Sequence, residues 1–263
     1  MVHVTYPEFA PRTGLPVIAT GWHPYTSPIR RILTARRRWE KPRVEAMFAL
    51  SDAIAIRRAT AVAAVSRTVE MALRSAGVVA EWIPPCVPDE LINPVSPIRS
   101  RDCVLIARWL DHPRKGLPLA VEAVRRVRER VGDARLILVG GFLKPQSEDS
   151  LPDYCVKRGI LRADQIRQLL SNAGCCLVPS VFEEFGYAAL EALAAGTPVV
   201  STPLPGFEGL ETDGFVCVPE RDPAAFSAAI LRSLRLESFV FPTDARASTA
   251  GTRLIALYES VLN

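Results

Sequence analysis

Two glutamates, Glu183 and Glu191, stand with seven residues between them in the stretch PSVFEEFGYAALEALAAGTPVV, which runs from Pro179 to Val200 through a Phe-Gly turn into a helical pattern. Glu191 falls two turns into that helix among Ala188, Ala189, Leu190, Ala192 and Leu193, where a carboxylate has no packing role unless it bonds something. Glu183 falls in the loop before it. Upstream, Arg108 and Lys115 follow the apolar run VLIA, Gly140 and Gly141 follow LILV, and Gly159 ends a candidate short strand. Cations, small residues that permit close backbone approach, and a helix beginning after Gly186 describe an anion site, with phosphate as its natural occupant. Neither the G-x-G-x-x-G dinucleotide fingerprint nor the G-x-x-x-x-G-K-[ST] P-loop follows any apolar run, which argues against NAD enzymes and P-loop NTPases.

The elements that must position these residues are legible as alternation. From Cys103 onward, apolar runs at 103–107, 135–139, 175–178, 198–201 and 215–218 alternate with amphipathic stretches at 117–130, 163–172, 187–195 and 223–234. Continuous apolar strands separated by helices predict a parallel sheet covered on both faces, hence a doubly wound α/β domain. Ligands bind such sheets beyond the carboxyl ends of the strands, where Arg108, Lys115, Gly140, Gly159 and the loop 180–186 all fall. The first 90 residues repeat the pattern more weakly, with strand candidates at 2–6, 17–20 and 61–65 and helix candidates at 29–38, 43–51 and 67–75. Pro84, Pro85, Pro88, Pro94 and Pro97 then crowd a stretch that reads as a linker. Residues 1–97 are thus expected to form a shortened Rossmann-like lobe with its linker, and residues 98–263 a full one.

A chain of 263 residues leaves no room for two full-size domains. No apolar run reaches the roughly 18 residues needed to cross a bilayer, and Met1 is not followed by a leader pattern, so a cytoplasmic location is expected. Six cysteines without a C-x-x-C pair, and three histidines, give poor support to a zinc site; reduced core thiols are expected. Between Arg30 and Arg43 the basic residues Arg30, Arg31, Arg36, Arg37, Arg38, Lys41 and Arg43 face only Glu40, with Ile29, Ile32, Leu33 and Trp39 interleaved. That composition suits a solvated face or an anionic membrane surface; no recognition motif accompanies it, so nucleic acid is not expected.

The Glu-x7-Glu stretch resembles the signature of retaining GT-B fold glycosyltransferases of glycosyltransferase family four. The resemblance extends to VLIARWLDHPRKGLPLAVEAV, DARLILVGG and GTPVVSTPLPGFEGL downstream, and to LPVIATGWH, ATAVAAVSRTVEMALRSAGV and IPPCVP upstream. It implies two Rossmann-like lobes with the active site between them, and transfer of a sugar from a nucleoside diphosphate sugar, UDP-sugar or GDP-sugar, to an acceptor hydroxyl of a glycan or lipid-linked acceptor. Arg108 and Lys115 would bind the donor diphosphate. Glu183 would meet the hydroxyls of the donor sugar, the backbone of Phe185 and Gly186 would approach sugar and phosphate, and Glu191 would hold the ribose hydroxyls. His23 would lie across the cleft near the donor sugar. With two fixed cations and no obvious nucleophile, front-face attack without a metal or other cofactor is expected.

The chain departs from the family pattern at four places. Glu184 stands where Gly is usual, Trp109 and His112 lengthen the spacing from Arg108 to Lys115, Pro85-Cys86 replaces Asn-Gly, and the opening strands and Gly-rich loop that the family carries before the strand at His3 are expected to be missing here. A three-stranded first lobe would leave an apolar edge and uncovered faces, predicting a homo-oligomer or a partner chain there. The alternative reading is a non-catalytic nucleotide-sugar-binding or partner subunit of the same fold.

Overall fold

A computed structural model describes residues 1–4, 15–21, 59–75, 77–93, 99–181, 183 and 185–263. His23, the basic run from Arg30 to Arg43 and the helix candidates at 29–38 and 43–51 lie outside the described residues. The chain divides into two compact units: Met1–Cys86 with Pro205–Gly209 and Thr243–Asn263, and Val87–Leu204 with Leu210–Pro242.

In the first unit, β1 (Val2–Val4), β2 (Val17–Gly21), β3 (Ala61–Ala64) and β4 (Ala80–Trp82) form a parallel sheet in that order. The two-residue period of β3 sends Val62 and Ala64 against Val69 and Leu73 of helix α1 (Arg67–Ser75). It sends Ala61 and Ala63 against Leu257 of the long C-terminal helix α7 (Ala247–Leu262). This corrects the expectation of three strands with an open apolar face. The fourth strand, only three residues long and carrying Glu81, pairs in register with β3, and α7 fills the face for which a partner chain was invoked. It also moves residues 243–263 out of the lobe to which the sequence boundary at residue 98 assigned them, because the apolar stripe of α7 packs on the first sheet.

The second unit is a six-stranded sheet in the order β10-β9-β8-β5-β6-β7, with every pairing parallel. The strands are β5 (Cys103–Trp109), β6 (Leu136–Gly141), β7 (Cys155–Gly159), β8 (Cys175–Val178), β9 (Val199–Ser201) and β10 (Phe215–Cys217). Helices α2 (Leu117–Val131) and α6 (Pro223–Ser233) pack one face, where Ala120, Val124, Val127, Phe226 and Ile230 meet Cys103, Leu105, Leu136, Leu138 and Leu177. Helix α5 (Tyr187–Ala194) packs on β8 and on α4 (Ala163–Asn172), and the Cys176 thiol, on the opposite side from Cys175 and Leu177, donates to the Ala188 carbonyl. A short helix α3 (Pro145–Asp149) joins β6 to β7.

All six cysteines are free, with Cys103, Cys155, Cys175 and Cys176 buried and Cys86 and Cys217 exposed. Among the described residues no helix is long and apolar enough to cross a membrane.

Strand order decides where a ligand can go. From β5 the chain steps outward to β6 and β7, then returns to β8 on the other side of β5 and steps away to β9 and β10. The helices that follow β5 and β8 therefore lie on opposite faces, and the loops that lead to them meet at the carboxyl ends of the two strands. Arg108 stands at the carboxyl end of the first of these strands and Lys115 follows it, while Glu183 follows the second.

Candidate functional site

At this switch point the Lys115 Nζ donates to Glu183 Oε1 at 2.5 Å, and Ser180 Oγ donates to the same oxygen at 2.7 Å. Both members of the ion pair are largely enclosed, their side chains keeping 21% and 16% of their exposure. Residues 68 positions apart thus meet because neighbouring strands bring their loops together. Arg108, at the exposed end of β5, has its guanidinium 5.8 Å from the centre of the Trp109 ring and no carboxylate within ion-pair distance among the described residues. Asp111 instead accepts from the backbone N–H groups of Leu143 and Lys144, at 2.6 and 2.9 Å, tying the loop after β6 to the loop after β5.

The loop that carries Glu183 is held from four sides. Val181 N donates to Arg114 O at 2.8 Å, and the Thr202 hydroxyl donates to Ser180 O at 2.5 Å. Arg221 Nη1 donates to Pro179 O at 2.6 Å, and burial lowers the pKa of that guanidinium from its ordinary value. The fourth restraint is steric. Gly116 takes φ +72 at the start of α2, and a Cβ there would overlap the Pro179 carbonyl oxygen. Gly116→Ala therefore combines a left-handed backbone with a clash against main chain, and is expected to cost about 2 to 4 kcal/mol, read as a lower midpoint of thermal unfolding.

The added length between Arg108 and Lys115 is absorbed by two devices. A register shift between Ile106 and Trp109 bulges β5, and His112 Nδ1 accepts from Arg114 N at 3.2 Å to start a single 3-10 turn over Pro113–Lys115.

Phe185 is buried, with its ring 5.5 Å from that of Tyr187, and Gly186 takes φ +90 as it enters α5. Gly140 takes φ +134, and a Cβ there would overlap the Ala107 carbonyl, so the strand bulge already requires glycine at this position. Gly159 turns out of β7 at φ +65 with open space around it.

Glu191 does not join the Lys115–Glu183 cluster. It lines a crevice of about 260 Å³ between α4 and α5, with Ala163, Ile166, Arg167, Leu170, Ala194, Ala195, Val87 and Leu91. Arg167 Nη2 donates to Asn93 Oδ1 at 3.0 Å. Glu191 is exposed to solvent along the helix, yet the walls of the crevice desolvate its carboxylate enough to raise its pKa above the ordinary 4.5. An acid with a raised folded-state pKa costs stability once the pH passes its unfolded value, and the whole cost is present above the folded value. Glu191→Gln is expected to raise the unfolding midpoint at neutral pH, with the gain vanishing as the pH falls below about 4.

Of Arg108, Lys115, Glu183 and Glu191, which the sequence places on one sheet edge, Lys115 and Glu183 are in contact and Glu191 lines a separate crevice. The sequence singles out neither Arg221 nor Thr202, since nothing in the local pattern of PERDP or VVSTP marks a residue that reaches a loop on a neighbouring strand. Among the described residues no group of His, Cys, Asp and Glu could hold a metal ion.

The profile of the family described as Glycosyl transferases group 1 matches residues 100–235, more than half of the chain. The chain is similar to a phosphatidyl-myo-inositol mannosyltransferase of Mycobacterium leprae, 32% identical over 50% of this chain and 37% of the relative. It is also similar to an MMP alpha-(1->4)-mannosyltransferase of Mycolicibacterium hassiacum, 27% identical over 73% of this chain and 49% of the relative. It spans less than half the length of either. Among solved structures, sucrose-phosphate synthase from Thermosynechococcus elongatus matches with a TM-score of 0.67 at 22% identity, covering 99% of this chain and 70% of that one. Two parallel α/β units with such a neighbour make this a Rossmann-like GT-B fold.

Proposed function

The chain belongs to the glycosyl transferases of group 1, and on that premise we propose that it moves a sugar, with retention, from a nucleoside diphosphate sugar to an acceptor hydroxyl. The observation that carries this reading is the meeting of Lys115, Glu183 and Ser180 at the β5/β8 switch point, with Arg108 at the carboxyl end of β5. Cations suit the diphosphate, and a carboxylate suits the hydroxyls of the sugar attached to it. Glu191, in its crevice, is the acceptor for the ribose hydroxyls.

In this mechanism the anomeric C–O bond to the diphosphate breaks while the acceptor oxygen bonds to the same face, and the acceptor proton passes to the leaving phosphate oxygen. Arg108, Lys115 and the backbone at the start of α5 stabilise the charge that develops on the diphosphate. The Lys115–Glu183 pair must open for this, Lys115 turning to phosphate and Glu183 to sugar. The mannosyltransferase names of two relatives favour a hexose donor and a glycan or lipid-linked acceptor. The run from Arg30 to Arg43 would serve a lipid-linked acceptor by lying on an anionic membrane surface.

A thermal-shift panel of nucleotides and nucleotide sugars tests the reading. UDP or GDP is expected to raise the midpoint, and silence from every nucleotide would overturn it. Since two fixed cations do the work of a metal, any transferase activity is expected to persist in excess EDTA; strict dependence on magnesium or manganese would contradict the mechanism.

A further inference from the structure

We propose that Ser180 is a positioning residue for Glu183, its hydroxyl holding Oε1 of the carboxylate so that Oε2 is the oxygen turned to the donor sugar; this rests on reading the switch point as a nucleoside diphosphate sugar site. Lys115 Nζ and Ser180 Oγ donate to the same oxygen, Oε1, and among the described residues Oε2 accepts no hydrogen bond from the protein. An ionised carboxylate has about four lone-pair sites on its two oxygens. Those on Oε1 are taken by Lys115 and Ser180, so Oε2 is the oxygen that sugar hydroxyls can engage.

Transfer separates the two donors. Lys115 reaches Glu183 on a flexible stem and leaves it for phosphate, so the ion pair cannot orient the carboxylate once the sugar is in place. Ser180 stays where it is. It is 3% exposed, its carbonyl accepts from the Thr202 hydroxyl, and the main chain is held on both sides of it, Pro179 O by Arg221 and Val181 N by the Arg114 carbonyl. A short side chain with one heavy-atom torsion, on backbone fixed from Pro179 to Val181, keeps its hydroxyl against Oε1.

A simple loop brace shares one feature with this arrangement: Ser180 and Glu183 are three residues apart, a spacing at which a hydroxyl often does no more than shape a turn. Two observations argue against it. The loop is already fixed by contacts that do not involve the hydroxyl, through Thr202, Arg221, Arg114 and the close approach of Gly116. The hydroxyl itself makes its one hydrogen bond among the described residues to the oxygen that also receives Lys115. Its removal therefore takes away the orientation of Glu183 and little of the loop.

The test compares the 263-residue protein with Ser180→Ala, Glu183→Ala and the double variant. It measures kcat/KM for UDP- and GDP-hexoses with a simple alcohol acceptor, and affinity for bare UDP and GDP. Ser180→Ala is expected to lower donor kcat/KM about tenfold, as loss of a hydrogen bond to a charged group does, and to leave bare UDP and GDP within about twofold. In the Glu183→Ala background the same substitution is expected to change kcat/KM less than about twofold, because Ser180 acts through that carboxylate. Calorimetric affinity for the intact donor replaces turnover in this cycle where Glu183→Ala falls below detection. Ser180→Cys, similar in volume but a weaker donor, is expected to lie between serine and alanine, and serves where the alanine variant does not fold. Unchanged donor kcat/KM in Ser180→Ala, an equal loss of bare nucleotide, or the same loss with and without Glu183 would overturn the positioning role and leave the donor site standing. A wild-type protein that cleaves no donor would overturn the donor reading and the positioning role together.

Discussion

Replacing Arg108 and Lys115 together by alanine is expected to lower affinity for UDP or GDP at least about tenfold, since a hydrogen bond from a charged donor is worth about 1.5 to 3 kcal/mol and 1.4 kcal/mol is a factor of ten. The two contributions are unequal. Lys115 already has a partner, and on binding it exchanges the Glu183 carboxylate for phosphate, so its net gain is a difference between two favourable contacts. Arg108 gives up no carboxylate among the described residues, and its guanidinium offers phosphate a two-pronged contact. Arg108→Ala alone should therefore account for most of the loss. Calorimetric titration checks both statements, and unchanged nucleotide binding in the double variant would remove the phosphate site.

The two glutamates should separate. Glu191→Ala is expected to weaken the bare nucleoside diphosphate by about tenfold, because it removes a charged acceptor from the ribose hydroxyls. Glu183→Ala is expected to spare or even tighten UDP or GDP, since it frees Lys115 from its ion pair, while lowering affinity for the sugar nucleotide or its turnover. The opposite pattern, with bare nucleotide lost in Glu183→Ala and kept in Glu191→Ala, would show that the roles are reversed or absent.

How much of this is legible in sequence depends on how local its cause is. The strand Cys175–Val178 and the helices Ala163–Asn172 and Arg67–Ser75 match their patterns residue for residue, because each is an apolar run or an amphipathic stripe bounded by its own caps and turns. The strand Ala80–Trp82 is invisible locally; three residues with a glutamate in the middle become a strand only because β3 offers an edge in register. Helix α7 has a readable stripe, but nothing in residues 247–262 says that it packs on strands near the start of the chain. The site divides the same way. Arg108, Lys115, Glu183 and Glu191 are marked by residue type at strand ends and on an apolar helix. Separate surroundings for the two acids, the restraint of Pro179 by Arg221 and Gly116, and the bulge that exposes Trp109 arise from packing between distant segments. Gly140 is the instructive case: a glycine after a strand reads as room for a ligand, and here it is also room for the Ala107 carbonyl.

The most direct test of sugar transfer at the switch point is to incubate the protein with a panel of UDP- and GDP-hexoses and a simple alcohol acceptor, following nucleoside diphosphate release and the anomeric configuration of the product by NMR. The account predicts that at least one donor is cleaved, that the product keeps the donor's configuration, and that Arg108→Ala with Lys115→Ala abolishes the reaction. Tight binding of nucleotide with no donor cleaved, or a product of inverted configuration, would contradict it.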